Sequence, residues 1–277
     1  MDIGVARQAQ AIIARAAAIV VVGIAAALVP SAAQDAPSQA GIQPNPAPPT
    51  LSAVCEVPVG AIASPAPLPH LAAALQEHKK AIRVMAIGSS STVGLGASSP
   101  ARNYPAQFEA ILERTFKGLD VVIINRGVSG ELAASTAERL KLQVALERPD
   151  VVLWQVGTND ALSRVPLDDF IDTVRDTVRW LKEHGIDTVL VGLQYSPRVA
   201  RDGYYASIRS ALKNLATAEN VLLVRRFEAM EFIEKAKEEQ LLSADNLHLN
   251  DLGYQCMAEH IARSVVISAF MRRPPSP

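Results

Sequence analysis

The sequence has no excess of charge of either sign. Its 277 residues include 27 lysines and arginines against 28 aspartates and glutamates, a formal net charge of −1. Proteins that bind nucleic acid through its phosphates carry a concentrated basic face, and no such concentration of basic residues occurs in this chain. The composition therefore gives no reason to expect a nucleic acid as partner.

Residues that bind metals and nucleotides are also sparse. The histidines are scattered, without the paired spacing of a zinc site, at His70, His78, His184, His248 and His260. No lysine in residues 89–96 could complete a phosphate-binding loop, and "GLGASS" ends in serine where a dinucleotide-binding motif needs glycine. We therefore expect neither a metal nor an organic cofactor.

The N-terminus lacks an apolar run of the roughly 20 residues that a membrane-spanning helix needs. Its apolar stretch from Ala16 to Val29 is shorter, follows Arg7 and Arg15, and precedes the small residues of "SAA". This order is typical of a secretory signal peptide, which we predict over residues 1–33, with an uncleaved membrane anchor as the alternative. Cleavage would leave a periplasmic or secreted protein without a stable membrane span.

Proline is concentrated in the segment that follows. Residues 34–69 include "QPNPAPPT" and "SPAPLP", and each proline fixes φ and removes a backbone donor. We interpret this segment as an extended tether or as a strap that lies on the domain. The folded domain is then expected over residues 70–272.

Cysteine occurs twice, at Cys55 in the proline-rich segment and at Cys256 in the last predicted helix. In an exported chain an even number of cysteines permits a disulfide, which would attach residues 34–69 to the domain. Two buried free thiols are the alternative.

From Ile82 onward, short apolar runs alternate with helical patterns. Five continuous apolar runs are typical of strands covered on both faces, at residues 81–88, 120–125, 150–157, 187–194 and 220–226. The clearest helix follows Pro166, and others are predicted after Pro105, over 204–215, over 228–239 and over 251–270. Alternating strands and helices predict an α/β fold with a five-stranded parallel sheet between helix layers.

Polar loops follow the predicted strands where a parallel α/β sheet binds its ligands. In chain order they are "GSSSTVG", "RGVSG", "GTND" and, after a further helix, "DNLH". A serine hydroxyl becomes a strong nucleophile when an imidazole accepts its proton and a carboxylate orients that imidazole. Asp245 and His248 have the spacing to form such a pair, although a polar loop that caps the last helix would look similar.

Together these four loops resemble the four sequence blocks of the SGNH hydrolase superfamily, the GDSL-type esterases and lipases, over roughly residues 82–265. The resemblance implies a three-layer, flavodoxin-like α/β/α fold with Ser90 as nucleophile and Asp245 and His248 completing a catalytic triad. It also implies an oxyanion hole formed by Ser90, Gly130 and Asn159. The chain departs from the superfamily at Ser89, where aspartate is usual.

The neighbouring residues leave some roles open. Gly127 is an alternative to Gly130 as a backbone donor, and Asp160 is expected to brace its loop rather than to face an oxyanion. We expect Ser89 and Ser91 to point away from the crevice. The segment 194–205 is expected to form a crevice wall, in which Arg198, Arg201 and Tyr204 or Tyr205 could meet a sugar or an acidic polymer.

The sequence thus predicts an exported serine esterase that acts through an acyl-enzyme, on short acyl groups such as O-acetyl on carbohydrate. Its partner would be a small-molecule or polysaccharide ester. A lipase, lysophospholipase or thioesterase of the same fold is an alternative, as is a non-catalytic carbohydrate-binding module.

Overall fold

A computed structural model describes residues 46–77 and 79–271, so the predicted signal peptide of residues 1–33 and His78 lie outside the described part. Within it the chain forms six strands in one sheet. They are β1 (Ala63–Ser64), β2 (Ala81–Gly88), β3 (Asp120–Gly127), β4 (Val151–Gln155), β5 (Asp187–Val191) and β6 (Leu222–Val224).

Helices fill the intervals between the strands. In the described residues the α-helices are α1 (Val59–Ile62), α2 (Pro69–Gln76), α3 (Ser90–Val93), α4 (Tyr104–Thr115), α5 (Ala133–Glu147), α6 (Thr158–Leu162), α7 (Leu167–Glu183), α8 (Gly203–Ala218), α9 (Arg226–Ala236) and α10 (Asp251–Ala269). Short 3₁₀ turns occur at Ala53–Cys55 and Pro100–Arg102. None of the helices in this part of the chain is both long and apolar enough to cross a bilayer.

The strand order β1-β6-β5-β4-β2-β3 confirms the predicted α/β class. Strands β2 to β6 are parallel, and β2 lies between β3 and β4, so that Val84 pairs with Ile123 on one side and Val151 on the other. The order of strands reverses at β2, as in flavodoxin-like sheets, which bind their ligands at the carboxyl ends of the strands at this point. The loops after β2 and β4 therefore meet at one crevice.

The five-stranded prediction missed β1, which pairs antiparallel with β6 through Ala63 opposite Val224 and Ser64 opposite Leu223. A strand of two residues within a proline-rich segment is too short to show periodicity, so the local pattern does not predict it. Because β1 covers the outer side of β6, this edge of the parallel sheet is not left open.

The core lies on both faces of the sheet. All five residues of β4 and all five of β5 are buried, as expected for strands between two helix layers. On one face, α4 packs against α10; on the other, α7 packs against both α5 and α8. Helix α7 shows why the prediction after Pro166 held, because Phe170, Val174, Val178 and Leu181 recur at helical spacing and are 0–1% exposed.

Residues 46–69, which we call the strap, pack on the domain. A disulfide joins Cys55 to Cys256 in α10, across 201 positions of sequence. Nearby, the Ser52 backbone N–H and hydroxyl donate to Glu259 Oε2 at 2.8 and 3.0 Å. The strap is therefore held to the last helix by a covalent bond as well as by side-chain hydrogen bonds.

Candidate active site

The turn after β2 presents Ser90 at the crevice. Gly88 ends the strand with φ of +146°, and a Cβ atom at this position would lie 2.5 Å from the carbonyl oxygen of Gln155. Only glycine fits so close an approach with this backbone conformation. Ser89 then precedes α3, and Ser90, which is partly exposed, is the first residue of this helix.

Ser90 forms a hydrogen bond with a histidine that is distant in sequence. The Oγ of Ser90 lies 3.1 Å from Nε2 of His248, across 158 positions. On the other side of the ring, Nδ1 of His248 lies 2.5 Å from Oδ2 of Asp245. The structure thus brings together the three residues that the sequence pattern selected, in the order serine, imidazole, carboxylate.

A small closed loop between α9 and α10 holds the acid and the imidazole. Leu242 and Leu249 form an antiparallel bridge, and the Ser243 N–H donates to the carbonyl of His248 at 2.7 Å. Residues 243–248 are thereby folded back on themselves. This closure brings the side chains of Asp245 and His248 to the same side of the loop.

The Asp245 carboxylate is well supplied with donors. Its Oδ1 accepts from the Ser243 hydroxyl and from the backbone N–H groups of Leu247 and His248, each at 2.9 Å. Desolvation raises the pKa of Asp245, but the hydrogen bonds from His248, Leu247 and Ser243 outweigh it and hold this pKa well below its usual range. The carboxylate is therefore ionised at neutral pH and can stabilise a protonated imidazole.

The two serines beside Ser90 have other partners. Both the N–H and the hydroxyl of Ser89 donate to Oε1 of Gln155, at 2.9 and 2.8 Å. The Oγ of Ser91 lies 3.4 Å from Oε1 of Gln194 and accepts from Arg226 Nη1 at 3.1 Å. At the position where aspartate is usual, serine is thus paired with a glutamine from β4.

The predicted oxyanion donors lie in the segments that follow β2, β3 and β4. In the described residues, the backbone N–H groups of Ser90 and Gly130 have no hydrogen-bond partner, whereas that of Gly127 donates to Asn125 Oδ1 at 2.9 Å. Gly130 is exposed, with φ of +79°. The amide of Gly127 is therefore occupied, which favours Gly130 of the two glycines considered.

Asn159, in α6 directly after β4, ties two loops together. Its Nδ2 donates to the carbonyl of Glu131 at 3.0 Å, which leaves a second N–H on the same nitrogen. Neither Asn159 nor Gly130 forms a hydrogen bond with Ser90 or His248 in the part described. The structure thus places Asn159 beside the loop that carries Gly130.

Asp160 faces the protein interior. It is 2% exposed and accepts from the Ala133 N–H, the first amide of α5, at 2.8 Å. Desolvation raises its pKa, and the hydrogen bonds from backbone amides lower it in part. This residue therefore fixes the loop before α5, which is the bracing role that the sequence suggested.

The crevice wall differs from the expectation at its tyrosines. The hydroxyl of Tyr204 donates to the carbonyl of Val165, and Tyr205 is 1% exposed with its hydroxyl donating to the carbonyl of Gln194 at 2.6 Å. Neither hydroxyl is free to meet a substrate. Arg198 and Arg201 are exposed.

Sequence reasoning missed three buried polar residues behind the site, Gln155, Gln194 and Arg226. Each is a polar side chain within or directly after a predicted apolar strand, and each is 2–3% exposed. A polar residue in an otherwise apolar run is the signal that could have indicated them. Among the described residues, no group of three or more His, Cys, Asp or Glu side chains is arranged to hold a metal ion.

The chain matches known proteins over nearly all of its described length. The profile of the Non-GDSL lipase-like family matches residues 54–270. The chain is 25% identical over 197 residues to an arylesterase of Vibrio mimicus, covering 71% of this chain and 92% of that one. It is 23% identical over 125 residues to the esterase TesA of Pseudomonas aeruginosa, covering 44% and 60%.

Solved structures share the fold. A two-domain esterase active on acetylated mannans superimposes with a TM-score of 0.67 at 19% identity, over 80% of this chain and 60% of its own length. A variant of the acetyl xylan esterase Axe2 from Geobacillus stearothermophilus gives 0.56 at 20% identity, over 66% and 94%. The chain thus spans less than two thirds of the two-domain esterase. From the family match and the fold together, the chain belongs to the Non-GDSL lipase-like family and is an SGNH-type carboxylic ester hydrolase.

Proposed function

We propose that this esterase works through an acyl-enzyme formed on Ser90, with His248 as general base and Asp245 as the carboxylate that orients it. The observation that carries the proposal is the continuous chain of hydrogen bonds from Ser90 Oγ to His248 Nε2 at 3.1 Å and from His248 Nδ1 to Asp245 Oδ2 at 2.5 Å. An imidazole held in this way has its Nε2 free to take the serine proton.

Acylation begins when His248 Nε2 accepts the proton of the Ser90 hydroxyl as Oγ attacks the ester carbonyl carbon. The carbonyl π electrons move to oxygen, which becomes a tetrahedral oxyanion. When the carbon–oxygen bond to the alcohol breaks, the imidazolium returns its proton to the leaving alkoxide. Asp245 stays ionised throughout, and its negative charge stabilises the imidazolium.

The oxyanion requires donors placed where its charge develops. The free backbone N–H groups of Ser90 and Gly130 and the second side-chain N–H of Asn159 are the groups we assign to it. The hydrogen bond from Asn159 to the carbonyl of Glu131 supports this assignment, because it joins the segment after β4 to the loop after β3, next to Gly130.

Deacylation repeats the sequence with water as the nucleophile. His248 removes a proton from water, the resulting hydroxide adds to the acyl carbonyl, and collapse of the second tetrahedral intermediate releases the carboxylic acid. The proton held by His248 returns to Ser90 Oγ, so the enzyme is regenerated without a cofactor.

A fluorophosphonate probe together with Ser90→Ala tests the nucleophile. The parent protein should gain the phosphonyl mass on the peptide that contains Ser90, and S90A should lose both labelling and nearly all ester hydrolysis while keeping its far-UV circular dichroism. Ser207→Ala, at an exposed position of α8, is the matched control and should behave as the parent. Turnover retained in S90A would place the nucleophile elsewhere, and folded parent that is never labelled would favour a binding module.

For the substrate, we propose short acyl groups, O-acetyl on carbohydrate above all. Two solved structures of the same fold are esterases described as acting on acetylated mannans and acetyl xylan, which supports this class. Exposed Arg198 and Arg201 in the crevice wall could contact an acidic polymer. A panel of p-nitrophenyl esters of increasing chain length beside acetylated polysaccharides tests it, since a preference for long acyl chains would favour a lipase or thioesterase.

We also propose that the protein is exported, to the periplasm or beyond the cell. The disulfide between Cys55 and Cys256 supports export because such bonds persist in oxidising compartments. Intact-mass measurement of protein from the culture fluid or periplasm should give a chain that begins at Gln34. Recovery of the full-length chain in the membrane fraction would instead support an uncleaved anchor.

A further inference from the structure

Arg226, the first residue of α9, is an unusual buried cation. It is 2% exposed, and it forms no ion pair with a carboxylate of the described residues. Its chain neighbour Arg225 is different, because its Nη2 lies 3.5 Å from Glu228 Oε1 and its side chain is 21% exposed. A buried charge without a counter-ion is costly, so its hydrogen bonds must account for its presence.

The guanidinium of Arg226 joins two loops of the site. Nη1 donates to Ser91 Oγ at 3.1 Å and lies 3.7 Å from the sulfur of Met257, and Nη2 donates to Thr158 Oγ1 at 3.4 Å. Nε has no partner in the described residues. Ser91 directly follows Ser90, and Thr158 directly precedes Asn159.

Gln194 extends the same network to the histidine loop. Its Oε1 lies 3.4 Å from the Ser91 hydroxyl, its backbone N–H is 3.4 Å from Thr158 Oγ1, and its Nε2 donates to the carbonyl of Leu247 at 2.5 Å. The donor directions agree, since Ser91 can accept from Arg226 while it donates to Gln194. The chain neighbours of Ser90, Asn159 and His248 thus share one buried set of hydrogen bonds.

The phenols near Arg226 do not neutralise its charge. Desolvation raises the pKa of Tyr104 and Tyr205 to about 12, even though hydrogen bonding and the positive charge of Arg226 lower it in both. Both phenols are therefore uncharged at neutral pH, and the guanidinium remains the only formal charge of this network.

We propose that Arg226 is a positioning residue of the esterase. Its guanidinium donates to Ser91, next to Ser90, and to Thr158, next to Asn159. These two hydrogen bonds hold Ser90 and Asn159 in the positions that the tetrahedral intermediate requires. Arg226 touches neither substrate nor the reacting atoms. This inference rests on the proposed function of Ser90.

Steady-state kinetics of Arg226→Met and Arg226→Lys test the proposal on an ester that the parent hydrolyses. R226M should lower kcat by on the order of 10- to 100-fold, because small displacements of reacting groups have effects of this size, with KM changed by less than about threefold. R226K keeps the charge but cannot span both acceptors, so its kcat should lie between R226M and the parent. Arg225→Met is the matched control and should keep the parent kcat.

A double-mutant cycle with Ser91→Ala separates positioning from general support of the fold. If Arg226 acts through Ser91, R226M should lower kcat less in the S91A background than in the parent, whereas additive effects would contradict the route. Parent-like kcat in R226K, or a loss confined to KM, would overturn the proposal. R226K carries the test if R226M does not fold by circular dichroism.

Ser90→Ala, assayed beside these variants, keeps the two conclusions apart. Activity retained in S90A would refute the assignment of the nucleophile. An inactive S90A together with a parent-like R226M would refute the role of Arg226 alone.

Discussion

The side-chain amide of Asn159 has two N–H groups, and one of them donates to the carbonyl of Glu131. The donor that bonds to Glu131 holds the side chain in place, which leaves the other for a developing negative charge. We expect Asn159→Ala to lower kcat by about 10²- to 10³-fold, the usual effect of losing one oxyanion donor. The measurement is steady-state kinetics, with exposed Asn214→Ala in α8 as control. A change in KM alone would argue against an oxyanion role.

The charge of the Asp245 carboxylate bears on how hydrolysis depends on pH. Because the pKa of Asp245 is held well below its usual range, its favourable contribution to folding is present above the pKa of an unfolded aspartate, near about 3.9, and is lost only at lower pH. Between pH 8 and 5 the Asp245 carboxylate therefore keeps its charge, and a change in activity there does not come from Asp245.

We expect kcat/KM to decrease on acidification, because a general base accepts a proton only in its neutral form, while circular dichroism at the same pH values stays constant. A flat kcat/KM profile with intact protein would count against His248 as the base. An activity loss that follows the loss of ellipticity would report unfolding instead.

For individual residues, the sequence predicts the candidate catalytic residues better than the buried polar residues behind them. Ser90, Asp245 and His248 could be chosen because their residue types occur in polar loops that resemble, in order, the sequence blocks of a known family. Gln155, Gln194 and Arg226 could not be assigned to Ser89 and Ser91 in the same way, since hydrogen bonds between residues 66 to 135 positions apart depend on the packed sheet.

Among the elements, α3 is held against β3 at very short range. A Cβ atom added to Gly127 would lie 2.4 Å from the backbone nitrogen of Val93, and Asn125 Nδ2 donates to the carbonyl of Thr92 at 2.6 Å. Gly127→Ala must therefore displace the helix that begins with Ser90. We expect it to lower the free energy of unfolding by about 1–3 kcal/mol, as other overpacking changes do, and to lower kcat as well.

Chemical denaturation and ester hydrolysis measured on the same preparation check this expectation. Gly203→Ala is the matched control, because nothing lies within 4 Å of the added carbon and its position is the start of α8. Parent-like stability and turnover in G127A would mean that α3 is not fixed by this contact.

The elements that could be predicted are those whose own residues carry the pattern. Helix α7 is predicted by apolar residues at helical spacing, and strands β2 and β4 are predicted by continuous apolar runs. The bounds were less certain, since the run predicted at 220–226 is strand only over Leu222–Val224 and α9 begins at Arg226 rather than 228. The last residues of this apolar run belong to the turn into α9, and the local sequence does not show where the strand ends.

For the whole molecule, the bond between Cys55 and Cys256 closes a loop of 201 residues. In the chain-entropy model, a loop of this length constrains the unfolded state by about 5 kcal/mol, although measured effects are typically about 2–4 kcal/mol. We expect Cys55→Ser with Cys256→Ser to lower the free energy of unfolding by an amount in that range. Urea denaturation of the parent with and without dithiothreitol provides the comparison.

The double variant should no longer respond to dithiothreitol. Equal stability of the oxidised and reduced parent would mean that the hydrogen bonds of the strap suffice. The sequence left both a bridge and free thiols open, because connectivity is a property of the folded chain, in which the turn Ala53–Cys55 packs against α10.

The distance along the chain between these two cysteines also sets an order of events during biosynthesis. The thiol of Cys55 leaves the ribosome long before Cys256 has been made, so its native bond cannot form on the nascent chain until the sequence up to α10 has emerged. Oxidation is therefore a late step of maturation. Until then the thiol of Cys55 must not form mixed disulfides with other proteins if the enzyme is to assemble correctly.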